Sequence, residues 1–301
     1  MKDRAAGLLA GYALDRWLGD PRRFHPVAGF GRIAASLERR TYADSVGRGS
    51  LHAALLVAAA GAVGVVAERR HRFLATVLTT WAVLGGRSLE REATTIGAFL
   101  EAGDLPAARR RLTHLVGRDP SGLPEDEVAR AVVESVAENT SDAVAAPLVW
   151  GGIAGAPGLL AYRAVNTLDA MIGHRNPRYE RFGKAAARAD DVANLLPARL
   201  AAVLTALCGP DRRGALRAWR RDAAGHPSPN AGPVEAAFAG ALGIRLGGTN
   251  VYGERIEHRP TLGDGRAVTA GDIAPATRLA RRVGLGAALA AAGIALSRRR
   301  A

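Results

Sequence analysis

Twenty consecutive residues, Ala143–Tyr162, carry no charge, yet they include two prolines and four glycines. That length suits a bilayer crossing of ~20 residues, but Pro and Gly in the interior oppose one regular helix. Acids and amides crowd both ends. ESVAENTSDAVAAP (Glu134–Pro147) leads into the run, and YRAVNTLDAMIGHRNPRYERFGKAAARADD (Tyr162–Asp191) leaves it. Ionisable groups beside apolar sequence lose hydration and need a partner, a metal or a water-filled site. Irregular backbone at membrane depth survives only inside protein or beside water. The stretch therefore reads as a broken helix lining a cavity, expected to fold back and bring its two flanks together.

Further apolar segments flank it. LHAALLVAAAGAVGVVA (Leu51–Ala67) has no charge; ERRHR (Glu68–Arg72) interrupts, and FLATVLTTWAVLGG (Phe73–Gly86) resumes. These predict a helical hairpin with a basic tip, each arm short of the ~20 residues that span comfortably. VANLLPARLAAVLTALCGP (Val192–Pro210) is expected to be broken by Pro197 and Arg199, and 276–296 forms a last helix before a basic anchor, Arg298–Arg300. Hydrophobic residues make up 48% of the chain and aromatics 5%, so small residues supply the apolar surface. Small residues permit close helix approach in membranes, although an Ala-rich soluble protein has the same composition. The expectation is an all-α, mainly helical integral membrane protein, multi-pass in the cell membrane. It would be a helical bundle with broken apolar helices and a soluble helical insert. Basic residues flank both ends of Leu51–Gly86, so orientation stays open.

The insert spans roughly 87–133. Leu89, Ala93, Ile96 and Leu100 follow helical spacing, a second helix starts at Leu105-Pro106, and Glu125, Asp126 and Glu127 suit the first turn of a third. Residues 5–18 predict a retained N-terminal helix, followed by a loop with Asp20, Arg22, Arg23 and His25. Gly31–Arg40 is a short amphipathic helix, and Asp211–Ala223 is a basic amphipathic one suited to a membrane interface. Residues 225–275 are rich in turns with short extended pieces, and Tyr252 and Glu254 fit a small hairpin. No internal repeat is visible, and 1–301 reads as one domain.

The net charge is +13, carried almost wholly by Arg. No nucleic-acid-binding motif accompanies it. Cys208, the single cysteine, excludes an intrachain disulfide and a multi-Cys zinc site. P-loop, H-E-x-x-H and G-x-S-x-G motifs are absent. What remains is carboxylates, amides and cations. Glu134, Glu138 and Asp142, spaced four and four, would share a helix face. Asn166, Asp169, His174, Arg175 and Asn176 follow, and Arg181, Lys184 and Arg188 would line another face ending at Asp190-Asp191. Each face has a bland alternative as solvated surface. Hard oxygen ligands of this kind suit Mg²⁺ shared with substrate phosphates. Arginines and Lys184 would neutralise the phosphates.

Five blocks taken together carry a resemblance: GDPRRFHPVAGFG, GRDPSGL, VVESVAENTSDAVAAPL, YRAVNTLDAMIGHRNPRYERFGKAAARADDVANLLPARL and HPSPNAGPVEAAFAGALGIRLGG. In order and separation the chain resembles the CobD/CbiB family of cobalamin biosynthesis over most of its length. The resemblance implies an integral membrane enzyme joining adenosylcobyric acid to aminopropanol or its O-phosphate, an adenosylcobinamide-phosphate synthase, using ATP and Mg²⁺. Its implied partners are those corrinoid and amine substrates and the lipid bilayer, with a complex of corrinoid-pathway enzymes also expected and no nucleic acid. A membrane transporter or a non-catalytic anchor for pathway enzymes is the alternative.

The motifs carry over Glu134, Glu138, Asn139 and Asp142; Asn166, Asp169, Arg188, Asp190 and Asp191; His25 and Pro26; and Ser228, Asn230 and Glu235. Within that resemblance, Glu134, Glu138, Asn139, Asp142 and Asp191 are expected to be catalytic. His25, Asn166, Lys184, Arg188, Ser228, Asn230 and Glu235 would bind substrate or ATP, and Glu138, Asp142, Asp169 and Asp190 the metal. Two departures stand out: Pro233 follows Gly232 directly, where the family usually has an aromatic first, and Asp119-Pro120 replaces Asp-Thr.

Overall fold

The computed structural model describes residues 1–19, 25–117, 119–174, 176–252 and 255–297, with backbone only for 249–252 and 255–258. Asp20, Arg22, Arg23, Arg175, Glu254 and Arg298–Arg300 lie outside the described residues, as does the side chain of Tyr252. The chain is mainly helical and divides into two compact units, 1–85 with 142–194 and 287–301, and 86–141 with 195–286.

The first unit begins with α1 (Lys2–Leu18), α2 (Pro26–Thr41) and α3 (Val46–Val83). The expected hairpin over 51–86 is present: the backbone leaves helical geometry at His71, and Ala60 of the first arm and Ala82 and Val83 of the second line one small cavity. Glu68, at the end of the first arm, has a structural partner. Its Oε1 accepts from the Ala156 N–H at 2.8 Å, and Arg4 lies 3.6 Å from its other oxygen.

The charge-free run does break. It forms α7 (Ala146–Ala154) and α8 (Ala156–Ile172), separated by Gly155 at φ 70°. Glu68 thus satisfies an orphan donor in the first turn of α8. A side chain on Gly155 would strike Glu68 and Arg4. Gly64 of α3 packs directly on the Pro157 backbone, a close approach that only a missing Cβ permits.

Backbone satisfaction explains two prolines. Pro147 has no N–H to offer Ala143, one turn back. The chain widens there into a π turn, Ser141–Ala145, and the Ala143 carbonyl accepts from Gly85 N at 3.2 Å. Pro197 sits inside α9 (Lys184–Cys208), which, contrary to expectation, it does not break. The carbonyl it leaves without a helical donor is Ala193, and Trp150 Nε1 donates to that oxygen at 3.0 Å. An outside donor replaces the missing one, and the helix continues.

The second unit holds α4 (Gly86–Glu101), α5 (Leu105–Leu112), α6 (Glu125–Thr140), α10 (Arg212–Asp222) and α11 (Ala231–Leu242). Leu89, Ala93, Ile96 and Leu100 are all buried, as their spacing predicts. Asp104 caps α5 and Asp211 caps α10, each accepting from a first-turn N–H. Strands β1 (Leu246–Tyr252) and β2 (Arg255–Leu262) pair antiparallel, with a bulge between Leu246 and Gly248. Helix α12 (Ile273–Ser297) closes the chain.

Three helical stretches are long and apolar enough to cross a membrane: Val46–Glu101, Lys184–Cys208 and Ala270–Ser297. In the first, only 17% of the most apolar window is buried within the protein. Leu51, Leu55, Val63, Val66 and Leu74 of α3 point outward, as do Val192, Leu196 and Leu207 of α9. A water-soluble core helix would hide such residues.

Two outcomes test this account. Gly155→Ala should lower stability by about 1–3 kcal/mol through the left-handed backbone it strains, read as the thermal midpoint of purified protein in detergent. Trp150→Phe keeps the ring but orphans the Ala193 carbonyl and should cost about 1–3 kcal/mol. A Phe variant as stable as the parent would rule out that role.

Candidate functional site

In the first unit, the fold-back at Gly155 sets α8 against the π turn. The Tyr162 hydroxyl lies 3.0 Å from the Asp142 carbonyl and 2.8 Å from Asn194 Oδ1. The Asn194 amide donates to Asp190 Oδ2 at 2.9 Å, and the Asn166 amide donates to Asp190 Oδ1 at 3.3 Å. Arg163 in turn donates to Asn166 Oδ1 at 3.2 Å. Each Asp190 oxygen therefore has an amide donor, which fixes the carboxylate without neutralising it. Asp169 and Asp191 lie close enough to act on Asp190 by charge repulsion. This network joins Asp142, Asn166 and Asp190, the flanks expected to meet.

Lys184 and Arg188 are exposed on the first turns of α9, four residues apart. Arg181 does not share their helix face: it precedes α9 and pairs with Asp44 at 3.6 Å. His25 caps α2, its Nδ1 accepting from Val27 N at 3.2 Å. Beside that cap lies a small cavity of about 70 Å³, walled by Pro26, Val27, Phe30, Leu160 and Thr167, with Arg163 in its lining.

In the second unit, Glu134 is not a poised catalytic acid. It is buried, accepts from Arg130 Nη1 at 2.8 Å and takes the Gly247 N–H of β1 at 2.8 Å. Arg130 also binds Glu127 and the Gly247 carbonyl. The expected face of Glu134, Glu138 and Asp142 ends at Thr140, because the π turn replaces four-residue spacing before Asp142 is reached. Glu138 is exposed. Asn139 turns back on its own helix, donating to the Ser135 carbonyl at 2.9 Å.

The Ser228 hydroxyl accepts from Ala231 N at 3.1 Å and so caps α11. Asn230 Oδ1 accepts from Arg199 at 2.9 Å. Glu235 of α11 is 1% exposed, and both its carboxylate oxygens lack a hydrogen-bond partner among the described residues. His226 Nε2 lies 3.8 Å from Glu235 Oε1. Burial pushes the Glu235 carboxyl well above the usual range, and the Glu134 and Glu138 charges push it further.

The donor chemistry of Asp169, Asp190 and Asp191, hard oxygens under mutual repulsion, fits Mg²⁺. Among the described residues no three His, Cys, Asp or Glu side chains are gathered to hold a metal ion. The expected set of Glu138, Asp142, Asp169 and Asp190 is therefore not a preformed cage. Fewer protein ligands suffice for Mg²⁺, which commonly takes one or two carboxylates and completes its shell with water and phosphate.

A sequence model described as CobD/Cbib protein matches residues 8–280. The chain belongs to that family. It is 53% identical to Cobalamin biosynthesis protein CobD of Mycobacterium tuberculosis over 98% of this chain and 97% of that protein. Proteins of the same description from Geobacter metallireducens (47% identical, covering 88% of each chain) and Stutzerimonas stutzeri (48%, covering 86% and 88%) are also similar. No solved structure matches.

Sequence reasoning named Asn194 only among the candidate amides and left Tyr162, Arg163, Arg130 and His226 without roles. Two carried a signal. Asn194 stands four residues after Asp190, one helical turn on, and Arg130 stands four before Glu134. Tyr162 had none, because its partners lie 20 and 32 residues away.

The raised Glu235 carboxyl has a testable consequence. The folded state keeps a proton that the unfolded chain releases above ~pH 4.3. The folded form therefore binds more protons, and stability falls as pH rises. Glu235→Gln removes that slope. Its thermal midpoint should exceed the parent's at about pH 7–8 and approach it near pH 4; parallel curves across that range would exclude the linkage.

Proposed function

We propose that this chain acts in cobalamin biosynthesis as a multi-pass enzyme of the cell membrane. It joins the carboxylate of adenosylcobyric acid to the amine of aminopropanol or its O-phosphate, with ATP consumed and Mg²⁺ required. Family membership along nearly the whole chain carries the pathway assignment. The Asp190 network supports the chemistry, since it fixes a carboxylate among further acids, and Lys184 and Arg188 stand exposed on the first turns of the same helix.

A carboxylate is a poor electrophile and must be activated before an amine attacks it. Transfer of a phosphoryl group from ATP to its oxygen gives an acyl phosphate, and amide formation then expels phosphate. Mg²⁺, when bound, neutralises phosphate charge and orients the phosphates. Asp169 and Asp190 would hold it. Asn166 and Asn194 keep Asp190 in one orientation, and Lys184 and Arg188 attract the phosphates. Asp142 and Asp191 border the same network. Exclusion of water by the surrounding apolar helices protects the activated carboxyl from hydrolysis.

The test is a reconstituted assay in lipid nanodiscs with adenosylcobyric acid, aminopropanol O-phosphate and MgATP, following product mass and nucleotide. Asp142→Asn and Asp191→Asn should each slow amide formation by ~100-fold or more while elution and thermal midpoint stay near the parent's. Full activity in both variants would move the site elsewhere. Failure of the parent to consume ATP with both substrates present would favour the transporter or anchor reading.

A further inference from the structure

Glu235 is the one carboxylate of its unit that is both sealed and left without hydrogen bonds among the described residues. Burying a carboxylate in this way is expensive, and the usual remedies are a cation or a donor on each oxygen. The fold supplies that remedy to Glu134, through Arg130 and Gly247 N–H. At Glu235 it stops short. Among the groups acting on Glu235, Glu134 and Glu138 from α6 make the site more negative, while Arg259 from β2 and Arg130 from α6 offset them by charge. His226 approaches to 3.8 Å, beyond hydrogen-bond range. The His226 ring is itself held in place: Ser228 N donates to its Nδ1 at 3.1 Å, which leaves Nε2 on the side of Glu235.

A compact cation with several N–H donors completes this site by displacing the proton that the buried carboxyl otherwise keeps. A primary ammonium offers three, enough for both Glu235 oxygens and one further acceptor. We propose that Glu235, with His226 positioned beside it, forms the subsite that receives the primary ammonium of the amine substrate. The inference rests on the amide-forming reading above and names the group that distinguishes one substrate from the other. His226 opens the turn 226–230, in which Pro227 and Pro229 are exposed. His226 brings this turn to within 3.8 Å of Glu235. The same turn carries Ser228, which caps α11, so ordering of the cap and occupation of the subsite are coupled through one short segment.

The experiment is equilibrium binding, by calorimetry and thermal shift, to the full chain in detergent without ATP or corrinoid. The probes are 1-amino-2-propanol and propane-1,2-diol, which has a hydroxyl in place of the amine. The parent should bind the amine and bind the diol about tenfold or more weakly, the effect expected from losing a charge-assisted hydrogen bond. Glu235→Gln should lose the amine by about tenfold or more while gaining nothing for the diol. Glu235→Asp, which keeps the charge, should retain a preference for amine over diol, and it carries the test if the Gln variant does not fold. Equal binding of amine and diol by the parent, or amine binding by Glu235→Gln within about twofold of the parent, would overturn the proposal. Because no ATP is present, amine binding without later ATP consumption would sink the enzymatic reading and leave this subsite standing. ATP-dependent amide formation at the parent rate by Glu235→Gln would do the reverse.

Discussion

In an apolar helix bundle a proline inside a helix leaves a carbonyl that water cannot reach, and much of the first unit's architecture answers that constraint. Pro147 frees the carbonyls of the π turn. Gly85 N takes the Ala143 oxygen, and the Tyr162 hydroxyl reaches the Asp142 oxygen. Pro197 frees the Ala193 oxygen, and Trp150 fills it. Each replacement donor comes from another helix or from a helix end, so local breaks become tertiary links. The fold-back at Gly155 gives these links their geometry, and Glu68 secures the break by capping α8. The polar network around Asp190 is then partly a by-product: Tyr162 satisfies the π turn and touches Asn194 with the same oxygen.

That origin explains what could be read from residues alone. The break in the charge-free run was legible because Gly and Pro have strong local effects. The buried stripe of α4 was legible because helical spacing is local too, and the strand pair near Tyr252 showed in its turn residues. Long-range satisfaction was not legible. Pro197 looks like a helix breaker until a donor 47 residues earlier is known, Trp150. Glu68 looks like part of a solvated basic tip until its partner Ala156 is known, 88 residues away. The π turn leaves no mark in a four-residue spacing, so Asp142 was placed on the face of Glu134 and Glu138.

The same limit applies to the candidate site. Its acids were found because they are costly beside apolar sequence, but cost does not say which acid is paired. Glu134 and Asp190 illustrate the difference. Glu134 meets a guanidinium and a backbone N–H, an arrangement that neutralises it and makes it a structural tie between α6 and β1. Asp190 meets two amides. Amides orient a carboxylate without cancelling its charge, so the negative charge stays available to a cation. An oriented but uncancelled carboxylate beside further acids is what a Mg²⁺–phosphate complex requires. A fully paired one has no charge to offer.

Glu235 extends that logic to a third case, a carboxyl kept neutral by its own proton and given no hydrogen bonds by the described residues. An apolar residue there would pack at less cost, and His226, Arg259 and Arg130 act on the carboxyl only by charge, without a hydrogen bond to either oxygen. Mg²⁺ is a poor match: no three ligating side chains gather there among the described residues. A cation whose charge is spread over several directed N–H donors makes better use of two bare oxygens in a confined space. The two units thus present carboxylates of different character. One suits a hard metal ion with phosphate, and the other suits an organic ammonium.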